Sequence, residues 1–146
     1  MSAVFQVARK TETTTTDQVL HRLLSLAARE LGLSKKQSEE AAEIGVMRVD
    51  GVKISISCME TDMQRDAVVV AKLSVPVDPA SLRQLLEINL IAAITLGSTI
   101  TIDCDGAAIL LGLVPIATAG PASFANHISQ MALFANTLAL QFAPCR

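Results

Sequence analysis

The sequence predicts an α+β fold in which helices pack on an antiparallel sheet, in the order α-βββ-α-ββ-α. Two two-residue turns, Asp50–Gly51 and Asp105–Gly106, each lie between runs typical of strands, and such turns join antiparallel neighbours. Three longer segments instead carry apolar residues at helical spacing. The 146 residues are enough for one domain with a sizeable core.

The first helix is expected to start at the capping residue Asp17 or the threonine before it, and Gly32 ends it. Its inner face consists of Leu20, Leu23, Leu24, Ala27 and Leu31. Val19, Leu26 and Leu33 widen the apolar stripe on one side. These side chains are either further core or the edge of an exposed groove.

Residues 1–16 are expected to form a flexible extension ahead of a single domain, residues 17–143. Val4, Phe5 and Val7 leave a second interpretation open, because a short strand there would occupy a partner's binding site while that site is empty.

A polar segment and then a hairpin follow the first helix. Residues 34–43 are polar and charged, which indicates a solvated turn or a short helix. Residues 46–49 and 52–58 then alternate between apolar and polar side chains, so each strand has one apolar face. The turn between them suits the type I′ geometry.

The third strand, residues 67–75, has apolar residues on both of its faces. Val69, Ala71, Leu73 and Val75 share one face. Val68 and Val70 lie on the other face, where a sheet with a one-sided core has no need of them. They are therefore candidates for contact with a partner.

The middle helix starts near Asp78 or Ser81, ends at Gly97 and is apolar nearly all round. We expect the side that carries Leu82, Leu85 and Leu86 to face the domain's own sheet. The off-stripe residues are then left for a second copy of the chain: Ile88, Leu90, Ile91 and Ile94. Asn89 interrupts the stripe, where it either caps a buried backbone group or fixes the register of a helix interface.

The last part of the chain is uncharged. A second hairpin, residues 98–104 and 107–114, precedes a final helix over about residues 122–142. From Gly106 to Cys145 the sequence contains no Asp, Glu, Lys or Arg. A surface built from so few charges suggests that part of it is covered by a partner.

The composition argues against several functional classes. Hydrophobic residues make up 51% of the chain, yet no apolar run reaches the ~20 residues that a membrane-spanning helix needs. A net charge of −2 without a basic patch argues against nucleic-acid binding. No phosphate-binding loop, metal-ligand spacing or nucleophile motif occurs, so we expect no enzyme, no cofactor and no metal. Cys58 and Cys104 are expected to be reduced and to pack as small hydrophobic residues.

The run LLEINLIAAITLGSTITIDCDGAAILLGLVP carries a family resemblance. It combines a helix with Leu-x-x-Asn, a glycine stop, a strand that ends in Asp, an Asp-Gly turn and an apolar strand that ends at Pro115. This pattern resembles the type III secretion chaperones of the Tir-chaperone (CesT-like) family. The resemblance extends over about residues 17–142.

The resemblance implies a cytoplasmic homodimer in a Gram-negative bacterium, with the middle helix at the two-fold interface. It implies a class I effector chaperone, which binds the N-terminal segment of a secreted effector and keeps that segment secretion-competent for the export apparatus. The secretion ATPase becomes a candidate further partner. The surplus residues Val19, Leu26, Val68 and Val70 become candidates for the effector contact. Two alternatives stay open: an adaptor protein of the same fold, and a small-molecule-binding domain.

Overall fold

The computed structural model describes residues 14–142, with the side chains of residues 18–142. This part of the chain forms four helices and five strands: α1 (Thr14–Glu30), α2 (Lys35–Ile44), β1 (Val46–Val49), β2 (Val52–Glu60), β3 (Arg65–Lys72), α3 (Pro79–Leu96), β4 (Ser98–Ile102), β5 (Ala108–Pro115) and α4 (Pro121–Gln141). The predicted class and order are confirmed, and the polar segment 34–43 corresponds to the short helix α2, with Ser34 as its N-cap. The expectation for Val4, Phe5 and Val7 lies outside the described residues.

The five strands form one antiparallel sheet in the order β1-β2-β3-β5-β4. Asp50 and Gly51, between β1 and β2, have φ angles of 50° and 81°, as a type I′ turn requires. β3 pairs with β5 rather than with β4, and α3 makes the connection across to β4. α3 therefore lies beside an edge strand.

One face of the sheet forms the core together with the helices. The register aligns Ile54, Ala71 and Leu110 across three strands, and all three are fully buried. From α4, the side chains of Phe124, Ile128 and Met131 are also fully buried in this core. α4 has 21 residues and no charge, but no helix in residues 14–142 is both long and apolar enough to cross a membrane.

Helix α2 is fixed by hydrogen bonds at both of its ends. Ser34 and Gln37 form a capping box, in which each side chain accepts from the other residue's backbone N–H, at 3.2 and 3.1 Å. At the C-terminal end, Gly45 has a φ angle of 71° and its N–H donates to the Ala41 carbonyl. The Gly45 carbonyl accepts from the Ile56 N–H at 2.7 Å, so the helix ends in direct contact with β2.

His127 of α4 is packed against the backbone of β5. A Cβ atom at Gly112 would lie 2.9 Å from His127 Nε2 and 3.0 Å from Ser98 Oγ, so only glycine leaves room for the imidazole. His127 Nε2 is buried and has no hydrogen-bond partner among the described residues. Burial lowers the pKa of His127, because it disfavours the charged imidazolium.

We therefore expect stability to fall below about pH 6.5, the ordinary pKa of histidine. Because the folded-state pKa is lowered, the unfolded chain takes up the proton first. The stabilising contribution is complete above that pH and is lost as the pH falls towards the folded-state value. Urea unfolding on either side of about pH 6.5 gives the slope of the free energy of unfolding against pH, and hence the number of protons that the chain takes up when it unfolds. For His127→Gln this number should be lower than for wild type, by up to about one. The exposed His21 of α1 provides the control, and an equal effect of His21→Gln would contradict the assignment.

Candidate binding surfaces

The titratable side chains of the described residues were compared first with the arrangement that a metal site needs. No group of three or more His, Cys, Asp or Glu residues within residues 14–142 is arranged to hold a metal ion. The pKa of Asp78 is lowered, chiefly because its carboxylate accepts a hydrogen bond from the Ser81 backbone N–H. This contact caps α3, so the carboxylate has a structural role. The uncovered apolar surfaces are the stronger functional candidates.

The first of these surfaces is the outer side of α3, which we call the α3 face. It consists of four large apolar side chains that are more than half exposed: Leu86 (72%), Leu90 (65%), Ile91 (54%) and Ile94 (74%). Leu86, Leu90 and Ile94 are four residues apart and form one row along the helix. A helix surface of this kind is typical of an interface.

The opposite side of α3 is attached to the rest of the domain. Leu85 and Ala92 are buried, and Ile88 is half-buried against the core. The prediction that Leu86 faces the sheet was wrong, because the buried stripe passes through Leu85 and Ala92 instead. Of the four residues predicted for the dimer interface, Leu90, Ile91 and Ile94 are exposed, whereas Ile88 packs inward.

Asn89 fastens α3 to the edge strand. Its side-chain Oδ1 accepts a hydrogen bond from the backbone N–H of Ile100 at 2.8 Å. Ile100 is 9% exposed, so few water molecules can reach this N–H. Of the two predicted roles, capping a backbone group is the one observed, and it also covers the edge of β4.

We expect Asn89→Ala to destabilise the fold by about 1–3 kcal/mol, because it leaves the nearly buried Ile100 N–H without an acceptor. Urea unfolding measures the loss. Thr95 offers a control on the same helix, since its side chain donates only to the Ile91 carbonyl one turn earlier and is exposed. If Thr95→Ala costs as much as Asn89→Ala, the hydrogen bond to β4 is not the cause.

The second surface is a groove beside α1, which we call the α1 groove. It has a volume of about 290 Å³ and a mostly apolar lining: Val19, Arg22, Leu23, Leu26, Ile116, Ala119 and Pro121. Val19 is 50% exposed and Leu26 is 41% exposed, so both belong to an exposed groove and not to the core. The Ile116 N–H donates to the Arg65 carbonyl at 3.0 Å, which fixes the opposite wall.

The third surface is the side of the sheet away from the core, which we call the open face. Side chains that pair directly across antiparallel strands share a face, so the register defines its members: Val46, Arg48, Lys53, Ser55, Ser57, Met59, Asp66, Val68, Val70, Lys72, Thr99, Thr101, Ile109, Leu111, Leu113 and Pro115. None of these described residues belongs to the core cluster formed with the helices. Leu113 is 46% exposed, Val70 is half-buried, and the central Val68 is only 6% exposed.

The structure divides the four predicted effector-contact residues between two surfaces. Val19 and Leu26 share the α1 groove, while Val68 and Val70 lie on the open face. The sequence did not predict that Leu86 and Leu113 are exposed or that Ile116 lines the α1 groove. The alternation of Ile109, Leu111 and Leu113 in the sequence was a usable signal for the open face. The expectation that Cys104 is packed was wrong, because it is exposed in the turn after β4.

A larger groove of about 390 Å³ lies between α1, α2 and β2. Leu20 and Leu24 of α1 face Ile56 of β2 across it, and His21 and Glu43 add polar groups. Leu24 and Ile56 are buried, so the groove is more a cleft above the core than an exposed apolar surface.

The comparisons with known proteins support the fold. Neither a protein-family model nor a curated protein sequence matches the chain. A chain of the HopA1–SchA chaperone–effector complex superposes with a TM-score of 0.66 and 13% identity, over 88% of this chain and 99% of that one. The Yersinia pestis type III secretion chaperone SycH, in complex with a stable fragment of YscM2, gives 0.60 and 20%, over 82% and 98%. The domain thus has the fold found in type III secretion chaperone–effector complexes.

Proposed function

We propose that this chain is a dedicated type III secretion chaperone of the CesT-like type. It binds the N-terminal segment of a secreted effector in the bacterial cytoplasm, keeps that segment secretion-competent and hands it to the export apparatus. The secretion ATPase is the proposed acceptor in this last step. The proposed role is one of binding, without catalysis.

The observation that carries the proposal is the coexistence of separate uncovered apolar surfaces on this fold. The α1 groove lies on the helix side of the sheet, and the open face lies on the other side. A globular partner could cover one of them, but an extended segment can pass around the domain and contact both. Shallow contacts of this kind suit a client that must remain unfolded and be released, because the segment loses conformational entropy when it is ordered.

We propose that the α3 face joins two copies of the chain. The fold similarity supports this arrangement only indirectly, whereas the exposure of Leu86, Leu90 and Ile94 supports it directly. A two-fold axis beside α3 would place the same apolar row on both copies, and each row would cover the other. The α1 groove and the open face would stay accessible for the effector.

The proposed effector contact in the α1 groove can be tested by Leu26→Asp. We expect the variant to remain folded, because Leu26 is 41% exposed, and to bind its client about tenfold more weakly, because a hydrated carboxylate replaces the apolar side chain that the client would contact. Met63→Asp is the matched control, since Met63 is 92% exposed in the β2–β3 loop. Equal client capture by both variants would contradict the assignment.

Co-expression of the tagged chain with candidate effectors tests the function itself. The proposal predicts that an effector co-purifies and that protease treatment of the complex leaves a protected N-terminal segment of that effector. Mass spectrometry identifies the segment. Protection of a folded domain instead of a terminal segment, or capture of proteins that are not secreted, would exclude the chaperone role and favour an adaptor of the same fold.

A further inference from the structure

Three cationic side chains stand side by side at one end of the open face. Arg48 of β1 pairs directly with Lys53 of β2, and one further step in the β2–β3 register places Lys53 opposite Lys72. Lys72 in turn pairs with Ile109 of β5. The basic row, defined as Arg48, Lys53 and Lys72, therefore crosses three adjacent strands on one face, and all three side chains are exposed.

This row has no ionic partner among the described residues. The ion pair that the described residues do form joins Arg65 and Glu60, which lie outside the basic row, at 3.1 Å. Arg48 donates through Nη1 to the carbonyl of Gly51, in its own turn. Directly opposed like charges on neighbouring strands destabilise a sheet. We therefore expect the repulsion within the basic row to lower the stability of the free protein.

Two acidic side chains of the β4–β5 turn lie near the two lysines of the basic row. Asp103 and Asp105 line the same depression of about 260 Å³ as Lys53 and Lys72. The Asp103 carboxylate accepts from the N–H groups of Asp105 and Ala107, each at 2.9 Å, so it serves its own turn. Neither aspartate reaches a lysine at ion-pair distance.

An apolar patch lies on the open face beside the basic row, bordered by the polar Ser55 and Ser57 of β2 and by Thr99 and Thr101 of β4. Next to the basic row the register aligns Val70 with Leu111, and beyond them Val68 with Leu113. Apolar side chains thus lie immediately beside three cations. A bound segment would bury the apolar part and bring its own charges over the basic row.

We propose that the open face binds a peptide segment that carries apolar side chains flanked by Asp or Glu. The apolar side chains contact Val70, Leu111 and Leu113, and the flanking carboxylates pair with Lys53 and Lys72. Such pairs are charge-assisted, and they fix the direction in which the segment lies across the strands. The inference rests on the proposed function, and it specifies the chemistry of the client segment.

Selection from a phage-displayed library of random 16-residue peptides tests this inference without any known effector. Wild type should enrich peptides with an apolar core and Asp or Glu beside it. The variant Lys53→Glu/Lys72→Glu should bind those peptides at least tenfold more weakly in fluorescence anisotropy and should enrich Lys or Arg at the same positions. Lys35→Glu/Lys36→Glu on α2 is the matched control, and it should select as wild type does.

The location of the site is tested by Leu113→Asp, which should abolish binding of the selected peptides, because Leu113 is the exposed member of the apolar side chains on the open face. The stability argument is tested by Lys53→Glu alone. This substitution replaces two like-charge neighbours by opposite-charge pairs, so the urea midpoint of the free protein should rise while peptide binding falls.

Several results would overturn the inference. They are a failure to enrich any peptide, enrichment without an acidic preference, the same preference in wild type and the double variant, unchanged binding by Leu113→Asp, and a lower urea midpoint for Lys53→Glu. If the selection succeeds while co-expression captures no effector, the surface stands and the chaperone role fails. If an effector is captured but the acidic preference is absent, the chaperone role stands and this inference fails.

Discussion

Leu90→Asp is expected to produce a folded monomer under conditions in which the wild type is a dimer. Leu90 is 65% exposed on the α3 face of a single copy, so the substitution leaves the isolated domain intact. In the proposed dimer the carboxylate would be buried without a partner, and the two-fold axis makes this happen twice. A penalty of about 3 kcal/mol or more corresponds to at least a hundredfold weaker dimer.

Light scattering at micromolar concentration, together with circular dichroism, measures this result. Ile94→Asp should behave in the same way, since Ile94 lies one turn further along the row. Leu140→Asp is the matched control, because Leu140 is a leucine of similar exposure (78%) on α4, away from the α3 face. A wild type that is already a well-folded monomer at this concentration would remove the α3 interface from the proposal.

Gly45→Ala is expected to be the most damaging of the glycine substitutions. A Cβ atom at this position would lie 2.6 Å from the carbonyl oxygen of Ile56, which belongs to the β2 backbone and cannot turn away. The positive φ angle of 71° adds a conformational cost of about 1–2 kcal/mol for a residue with a side chain. We expect a total loss of about 3–5 kcal/mol, a large part of a typical domain's stability.

Gly32→Ala separates the two contributions. Gly32 also has a positive φ angle, 94°, but nothing lies within 4 Å of the position of its Cβ atom. Its substitution should therefore cost only the conformational term. Urea unfolding of both variants gives the difference that the contact with Ile56 accounts for, and equal losses would show that this contact is unimportant.

The sequence predicted the local features of this fold well, because short-range chemistry decides them. The Asp50–Gly51 turn needs positive φ angles at both residues, and Asp-Gly is a pair that supplies them. The helix ends at Gly32 and Gly97 followed from the same property. For residues 34–43 the polar composition did not decide between a turn and a short helix. Ser34 and Gln37 nevertheless have the spacing of a capping box, which favours the helix.

The orientation of α3 could not be predicted with the same success. Its apolar residues surround the helix, so the sequence does not decide which stripe is buried. Leu86 was assigned to the sheet side, yet the contact of Asn89 with Ile100 turns the helix so that Leu86 points outward. A hydrogen bond between residues eleven positions apart depends on tertiary structure, which periodicity does not contain.

The exposure of Val68 shows a similar limit. The alternation in β3 placed Val68 and Val70 on the outer side of the sheet, as observed. It could not show that Val68 is only 6% exposed, because that depends on Ser57 and Leu113 in the neighbouring strands. Leu113 is therefore a better position than Val68 at which to test binding to the open face without unfolding the sheet.

The uncharged stretch from Gly106 to Cys145 makes ionic strength a means of locating a ligand. α4 and most of the β5 surface offer no fixed charge to be screened, whereas the basic row does. A segment held by the basic row should bind more weakly as salt is added, and one held only by α4 should respond little. The slope of affinity against salt concentration would therefore distinguish a segment held by the basic row from one held by α4 before any complex is crystallised.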